Sequence, residues 1–259
     1  FRKFSRLNKA MTPLTEGVTP EGNTLNVTAS TATVQQYGDF IQMSDMLDMT
    51  ALDNTVVQAT RLLGAQAGLT LDSVAREVLN GGTNVLYAPK VVDGVETPVE
   101  SRKNLDKTCL LTPDLIYRAA AFLKTSLCDR IDGDYVAIVH PYVAYDLMRQ
   151  EEWIDAHKYA DPDKLYNGEI GKLGGVRFVE SSEAKIWNDD STPEGLAVFS
   201  TLVLGAHAYA KTAVTGGGLE TIVKPLGYGE DPLNQRSSVG WKATSAIKRL
   251  SEEFMVRIE

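Results

Sequence analysis

The stretch DNTVVQATRLLGAQAGLTLDSVAREVLNGG, residues 53–82, decides how the rest of the chain is read. Val56, Val57, Leu62, Leu63 and Ala67, then Leu71, Val74, Ala75, Val78 and Leu79, recur at helical spacing, so the segment carries an apolar face. Ser44 with Asp45 gives a start signal upstream, and Asn80-Gly81-Gly82 offers the left-handed backbone on which helices end. A helix over residues 53–79 is about 40 Å long at about 1.5 Å per residue, more than a small compact domain needs. Gly64 and Gly68 inside it either bend the helix or admit a close neighbour.

Working outward, residues 1–26 are polar, punctuated by Pro13, Gly17, Pro20 and Gly22, and too poor in apolar side chains to build a core. They read as an arm or exposed loop. Residues 27–43 alternate, as in Val34, Gln36, Phe40 and Gln42, which predicts an extended segment with one covered face. Together the two regions predict a long projecting hairpin. On the other side, Thr112-Pro113-Asp114 opens a helix through Leu115, Ile116, Ala119, Phe122 and Leu123, with a cap residue followed by proline at the first position. Asp132-Gly133-Asp134 turns into a buried strand at 135–139, His140-Pro141 ends it, and 142–149 reads as a helix. Strands are predicted at 176–180, 196–204 and 219–224, making the middle a mixed α/β region. In the last segment Trp241, Ala243, Ser245 and Ile247 share one side, as do Phe254, Val256 and Ile258, predicting a ribbon that returns to the early helix. No internal repeat of 20 to 50 residues is present, which excludes solenoids and propellers.

Composition narrows the function classes. The 259 residues are 43% hydrophobic and 23% charged, normal for a folded protein with a sizeable core. The net charge of −8 argues against strong general attraction to nucleic acid or an anionic membrane surface. No apolar run reaches the roughly 20 residues of a membrane-spanning helix, and residues 1–7 carry positive charge without the apolar run of a secretory signal. Cys109 and Cys128 have neither CxxC spacing nor companions, and read as reduced thiols.

Catalytic and ligand motifs are weak. His140, His157 and His207 have no partner at metal-ligand spacing, and the ring of His140 is placed to cap neighbouring backbone. The run from Gly168 to Gly175 fits neither phosphate-loop pattern and reads as a turn; Thr215-Gly216-Gly217-Gly218 reads as a connection. Asp129, Asp132 and Asp134 around Gly133 lack the remaining ligands of a calcium loop. Asp45, Asp48 and Asp53 suit the positive end of a helix. No catalytic residue, cofactor site or metal site is assigned. Arg2, Lys3, Arg6 and Lys9 form the one basic cluster, a solvated arm or a contact with DNA or an acidic neighbour.

The order of elements (polar arm, extended hairpin, very long helix, inserted α/β region, returning ribbon) resembles the tailed-bacteriophage major capsid proteins of the Hong-Kong-type fold. Residues 13–21, PLTEGVTPE, look like the tip of that family's extension loop, and 27–43 like its return strand. Residues 44–79 are similar to its spine helix, and 135–148 to its axial strand, Asn/His-Pro, helix unit. Residues 170–179 resemble the segment entering the next core strand, and the wording of 14–53 is similar to the N-four-type podophage group. The resemblance implies an α+β fold with an N-terminal arm at 1–12 and an extension loop at 13–43. It implies a peripheral domain with the spine helix at 44–104, an axial domain at 105–225 and a return ribbon at 226–259. It further implies a structural, non-enzymatic protein of the virion, assembled in the host cytoplasm into pentamers and hexamers around double-stranded DNA. The implied partners are copies of itself, a portal, scaffold or decoration proteins, and DNA by weak contact, but no membrane. Glu16, Gly17, Thr19 and Glu21 would lie on an inter-subunit contact, and Arg2, Lys3, Arg6 and Lys9 on an inner-surface arm. An encapsulin-type nanocompartment shell shares the fold and is the alternative; a soluble α/β enzyme with a site near 129–140 is the lesser one.

Overall fold

The computed structural model describes residues 1–160, 170–212, 216–229 and 231–259. β1 (Arg2–Phe4) and β2 (Val27–Ala29) pair antiparallel, and every residue from 1 to 29 is exposed. The first residues are therefore one side of the projecting hairpin rather than a separate arm. β3 (Gln35–Ser44) follows, and Ser44 caps α1 (Asp45–Thr50), its Oγ accepting from the Leu47 N–H at 3.3 Å. Residues 51–54 break the helix. Asn54 then caps α2 (Thr55–Asn80), accepting from the Val57 N–H at 3.2 Å. The single helix expected over 44–79 is thus two, because a second cap side chain restarts the ladder; Asp53 lies in the break, directly before the cap of α2.

Beyond α2 the chain forms β4 (Val85–Leu86), β5 (Lys90–Val92), β6 (Val95–Thr97), α3 (Pro113–Thr125), β7 (Tyr135–Val139), α4 (Pro141–Met148) and α5 (Glu151–Ala160). Then come β8 (Lys172–Leu173), β9 (Val176–Glu180), β10 (Ile186–Trp187), β11 (Val198–Phe199), β12 (Thr201–Leu204) and β13 (Tyr209–Lys211). β14 (Glu220–Lys224), β15 (Arg236–Ser245), β16 (Ile247–Arg249) and β17 (Met255–Ile258) complete it.

α2 rests on a three-stranded antiparallel sheet, β14-β15-β3, in which β15 and β3 pair along ten residues from Arg236 opposite Ser44 to Ser245 opposite Gln35. Period-2 alternation sends Met43, Val239, Trp241 and Ala243 to the helix side, where they bury Ala59, Leu63 and Ala67. Gln66 fastens the layers, accepting from Trp241 Nε1 at 3.2 Å and donating to Asp39 Oδ2 at 2.7 Å. Phe40 projects to the opposite, uncovered face. Val57 and Leu62, expected in the buried stripe, point outward as well: α2 is apolar on two sides and the chain covers one.

The second sheet has the order β4-β17-β12-β7-β9-β8. α3 lies against it, and Leu115, Ile116, Ala119, Leu123, Tyr135, Val176 and Val203 form the largest core. Thr112 Oγ1 accepts from the Leu115 N–H at 3.4 Å with Pro113 next, as its sequence signal predicts. β17 does not continue the ribbon onto the early helix. It lies inside this sheet, antiparallel to β12 and parallel to β4, so all four of its residues are buried rather than alternating. β15 and β16 of the last segment do lie on α2.

The end of α2 is built without the expected left-handed glycine. Gly81 has φ −74°, and the carbonyls of Asn80, the last helical residue, and Gly82, just beyond the cap, instead accept from the Arg257 guanidinium, the Gly82 bond at 3.0 Å. A cation at a helix C-terminus is favourable. A Cβ on Gly82 would stand 3.1 Å from Glu252 Oε2 and 3.4 Å from Arg249 Nη1, so the ends of these two side chains would have to give by a few tenths of an ångström. Asn80 is held by its own side chain, which donates to the Arg76 carbonyl at 2.9 Å and accepts from Ser200 Oγ at 2.5 Å. Arg257 also pairs with Glu259 at 2.6 Å, and both Glu259 oxygens meet the Arg102 guanidinium at 2.6 Å. Trp187 lies 3.8 Å under Arg102. This buried triad ties the second sheet to the end of the long helix.

Gly64 and Gly68 neither bend α2 by a close contact nor admit a neighbour within the chain, since a Cβ at either meets nothing within 4 Å. Gly64→Ala should therefore stabilise the unassembled chain by about 0.5–1 kcal/mol through lost unfolded-state entropy. A thermal melt of the separated subunit reads this, and a lower midpoint would show a contact that the fold does not contain.

Candidate assembly interface

The tip of the projecting hairpin is a turn in which the Val18 N–H bonds the Thr15 carbonyl at 3.1 Å and Gly17 takes φ +75°. Glu16, Thr19 and Glu21 flank it, exposed, and among the described residues their side chains make no bond within the chain. Leu14, Val18 and Leu25 are uncovered beside them, at 79%, 62% and 66% exposure. A second uncovered apolar surface comprises Met46 and Met49 of α1, Leu52 of the break and Val57, Leu62 and Leu69 on the outer side of α2. Uncovered apolar side chains gathered on neighbouring elements offer another chain a place to sit.

The basic cluster divides. Lys3 and Arg6 each approach the Phe254 ring, 5.9 Å from its centroid, and Arg6 bonds carbonyls at the end of α3. Arg2 and Lys9 extend into solvent.

The middle region holds no gathered chemistry among the described residues. Asp132 and Gly133, at φ 51° and 91°, form the tight turn of a hairpin that Ile131 and Asp134 close, and Asp134 pairs with Lys172. Gly174 and Gly175 turn β8 into β9, while Gly168 and Glu169 lie outside the described residues, as do Thr215 and the side chain of His157. His207, at φ 61°, occupies a turn. Cys109 and Cys128 are free thiols; burial pushes Cys128 up to about 11.

His140 caps α4: its Nδ1 accepts from the Tyr142 N–H at 3.2 Å, and its ring packs 4.9 Å from Phe199 and 5.3 Å from Tyr142. Burial holds its pKa below the ordinary histidine value. The folded state therefore favours the neutral ring. Stability from this group is full above about pH 6.5 and declines as pH falls from there toward the depressed folded value. His140→Asn retains a capping oxygen and should flatten that part of the stability–pH curve; an unchanged slope would assign it to other groups.

A protein-family model described as phage capsid protein matches residues 27–258. The chain belongs to the phage capsid protein family. No functionally curated protein matches it. The capsid protein's structure is similar to the capsid of the cyanophage P-SCSP1u, with TM-score 0.73 and 13% identity over 100% of this chain and 81% of that one. It is also similar to the capsid of Ralstonia phage GP4, with TM-score 0.76 and 14% identity over the same shares. An encapsulin from Synechococcus elongatus matches more distantly, with TM-score 0.56 and 10% identity over 91% of this chain and 77% of that one. The fold is thus the Hong-Kong-type α+β fold that the order of elements implied, and the chain is a structural major capsid protein of a tailed phage, located in the virion. No helix among the described residues is long and apolar enough to cross a membrane.

Sequence reasoning missed the outward apolar side of α2, although Val57, Leu62 and Leu69 were visible as residues that no single inward stripe accommodates. It also missed the triad of Arg102, Arg257 and Glu259, for which nothing local signals a partner so far along the chain.

Proposed function

We propose that this capsid protein builds pentamers and hexamers of an icosahedral head enclosing double-stranded DNA, and that it carries out no catalysis. The observation that carries the reading is the uncovered apolar surface at the hairpin tip and along α1 and α2, which the chain cannot bury alone. In this reading Glu16, Gly17, Thr19 and Glu21 ride on an extension loop, residues 13–43, that grips a neighbouring subunit. Residues 105–225 surround the capsomer axis, and residues 44–104 with part of the return segment 226–259 form the periphery. Many modest contacts repeated around a closed shell give strong assembly. Arg2 and Lys9 face the interior and touch DNA weakly, consistent with the net charge of −8. A portal and scaffold or decoration proteins complete the head, assembled in the host cytoplasm.

Negative-stain microscopy with size-exclusion light scattering on the purified chain tests this. Closed shells, or free pentamers and hexamers, are the expected result. Nucleic acid inside supports a phage head, and enclosed enzyme without nucleic acid supports the encapsulin-type alternative. A monomer under all assembly conditions would overturn the assembly reading.

A further inference from the structure

We infer that the C-terminal end of α3, together with the face of Phe254, is a binding site for an arginine side chain, which the chain fills with its own Arg6 to park the hairpin on the body. The helix ends in a six-residue closure: the Cys128 N–H bonds the Leu123 carbonyl at 3.0 Å and the Leu127 N–H bonds the Lys124 carbonyl at 3.0 Å. That closure places a left-handed residue at position 127, normally glycine, yet here it is Leu127 at φ +52° with its side chain largely exposed. The strained conformation turns the carbonyls of Ser126 and Leu127 outward at the negative end of the helix dipole. Arg6 takes both, Nη1 reaching the Ser126 oxygen at 3.3 Å and Nη2 the Leu127 oxygen, while its guanidinium lies 5.9 Å from the Phe254 ring centroid. A planar fork that donates to two oxygens and lies near an aromatic face fits arginine better than lysine.

Arg6 is the hairpin's principal anchor. β1 and β2 are three residues each, exposed throughout, and a ribbon that short is marginal without support. Docking commits Lys3 and Arg6 to the body and leaves Arg2 and Lys9 for an external polyanion, so release would double the arm's available cations. The ligand class is therefore an extended segment bearing a guanidinium, and the device is a latch on the hairpin. The inference concerns the single chain and stands whether or not shells form.

Hydrogen exchange by mass spectrometry on the full unassembled chain tests it, comparing wild type with Arg6→Ala and Leu127→Gly. Arg6→Ala should speed exchange at residues 1–5 and 26–30 about ten-fold, leaving α3 and β17 at wild-type rates. Leu127→Gly keeps the left-handed backbone and the carbonyl, and should leave the hairpin protected as in wild type. Unchanged exchange in Arg6→Ala, or acceleration no greater in the hairpin than in α3 and β17, would overturn the latch. Release of the hairpin by Leu127→Gly would equally do so, because the carbonyl and not the leucine side chain is the receptor.

Discussion

Glu259→Gln should lower the stability of the unassembled chain by about 3–5 kcal/mol, the cost of leaving buried charge without its counter-ion. The Glu259 side chain is fully buried, and Arg102 and Arg257 are 13% and 10% exposed, so water screens the pairs little. Glutamine keeps the shape and removes the charge. Arg102, Arg257 and Lys185, at 3.8, 5.7 and 4.8 Å from the Trp187 ring, then crowd one indole without the carboxylate between two of them. For a chain of this size the midpoint should fall by about 10 °C in calorimetry. The effect should also be strongly non-additive with Arg102→Gln, because the second change removes a cation that the first has stranded. Single and double variants that each lose less than about 0.5 kcal/mol would show that the triad contributes no more than exposed pairs do.

Gly205→Ala should cost about 1–3 kcal/mol by overpacking. Gly205 is buried just past β12, and a Cβ there would fall 2.1 Å from Cys128 Sγ and 3.2 Å from the Asp129 carbonyl. The sulfur cannot swing away freely, since it is buried and sits against the Asp129 and Ala206 carbonyls at 3.4 and 3.8 Å. The double variant Gly205→Ala with Cys128→Ala should recover most of the loss by trading one methyl-sized volume for another. Denaturant titrations of the four chains read this directly; failure of the rescue would place the strain in the backbone at Asp129 instead.

What the sequence made legible follows from how local each signal is. α3 was readable because Thr112 and Pro113 announce its first turn, and the unit from β7 through His140-Pro141 to α4 because a short buried run ends on a residue that both stops a strand and caps a helix. The break at residues 51–54 was hidden because helical spacing continues across it, while Asn54 as a second cap is one polar residue among several. The hairpin β5–β6 carries its own signal in Asp93-Gly94, both left-handed at φ 53° and 78°. The glycines after α2 suggest a left-handed ending, but Gly81 is at φ −74° and the neighbours that crowd Gly82, Arg249 and Glu252, are distant in sequence. The exposure of the segment that holds Glu16, Gly17, Thr19 and Glu21 was readable from polarity and turn residues, whereas the inter-subunit contact proposed for it rests on the family resemblance. The latch of Arg6 was not, because its receptor is made of backbone carbonyls, which leave no mark in a sequence.

The place of β17 sets a clock on subunit production. Its neighbours, β4 and β12, are synthesised well before it, and each lacks the strand that joins them until residues 255–258 have emerged. Until those residues have emerged, a nascent chain on the ribosome therefore carries an unfinished sheet, with strand edges open and the triad that secures α2 still lacking Arg257 and Glu259. Native closure of the sheet is a late, long-range event and consequently slow. Only subunits translated through this strand can present a finished body, so partial translation products are poor competitors for places in a growing head.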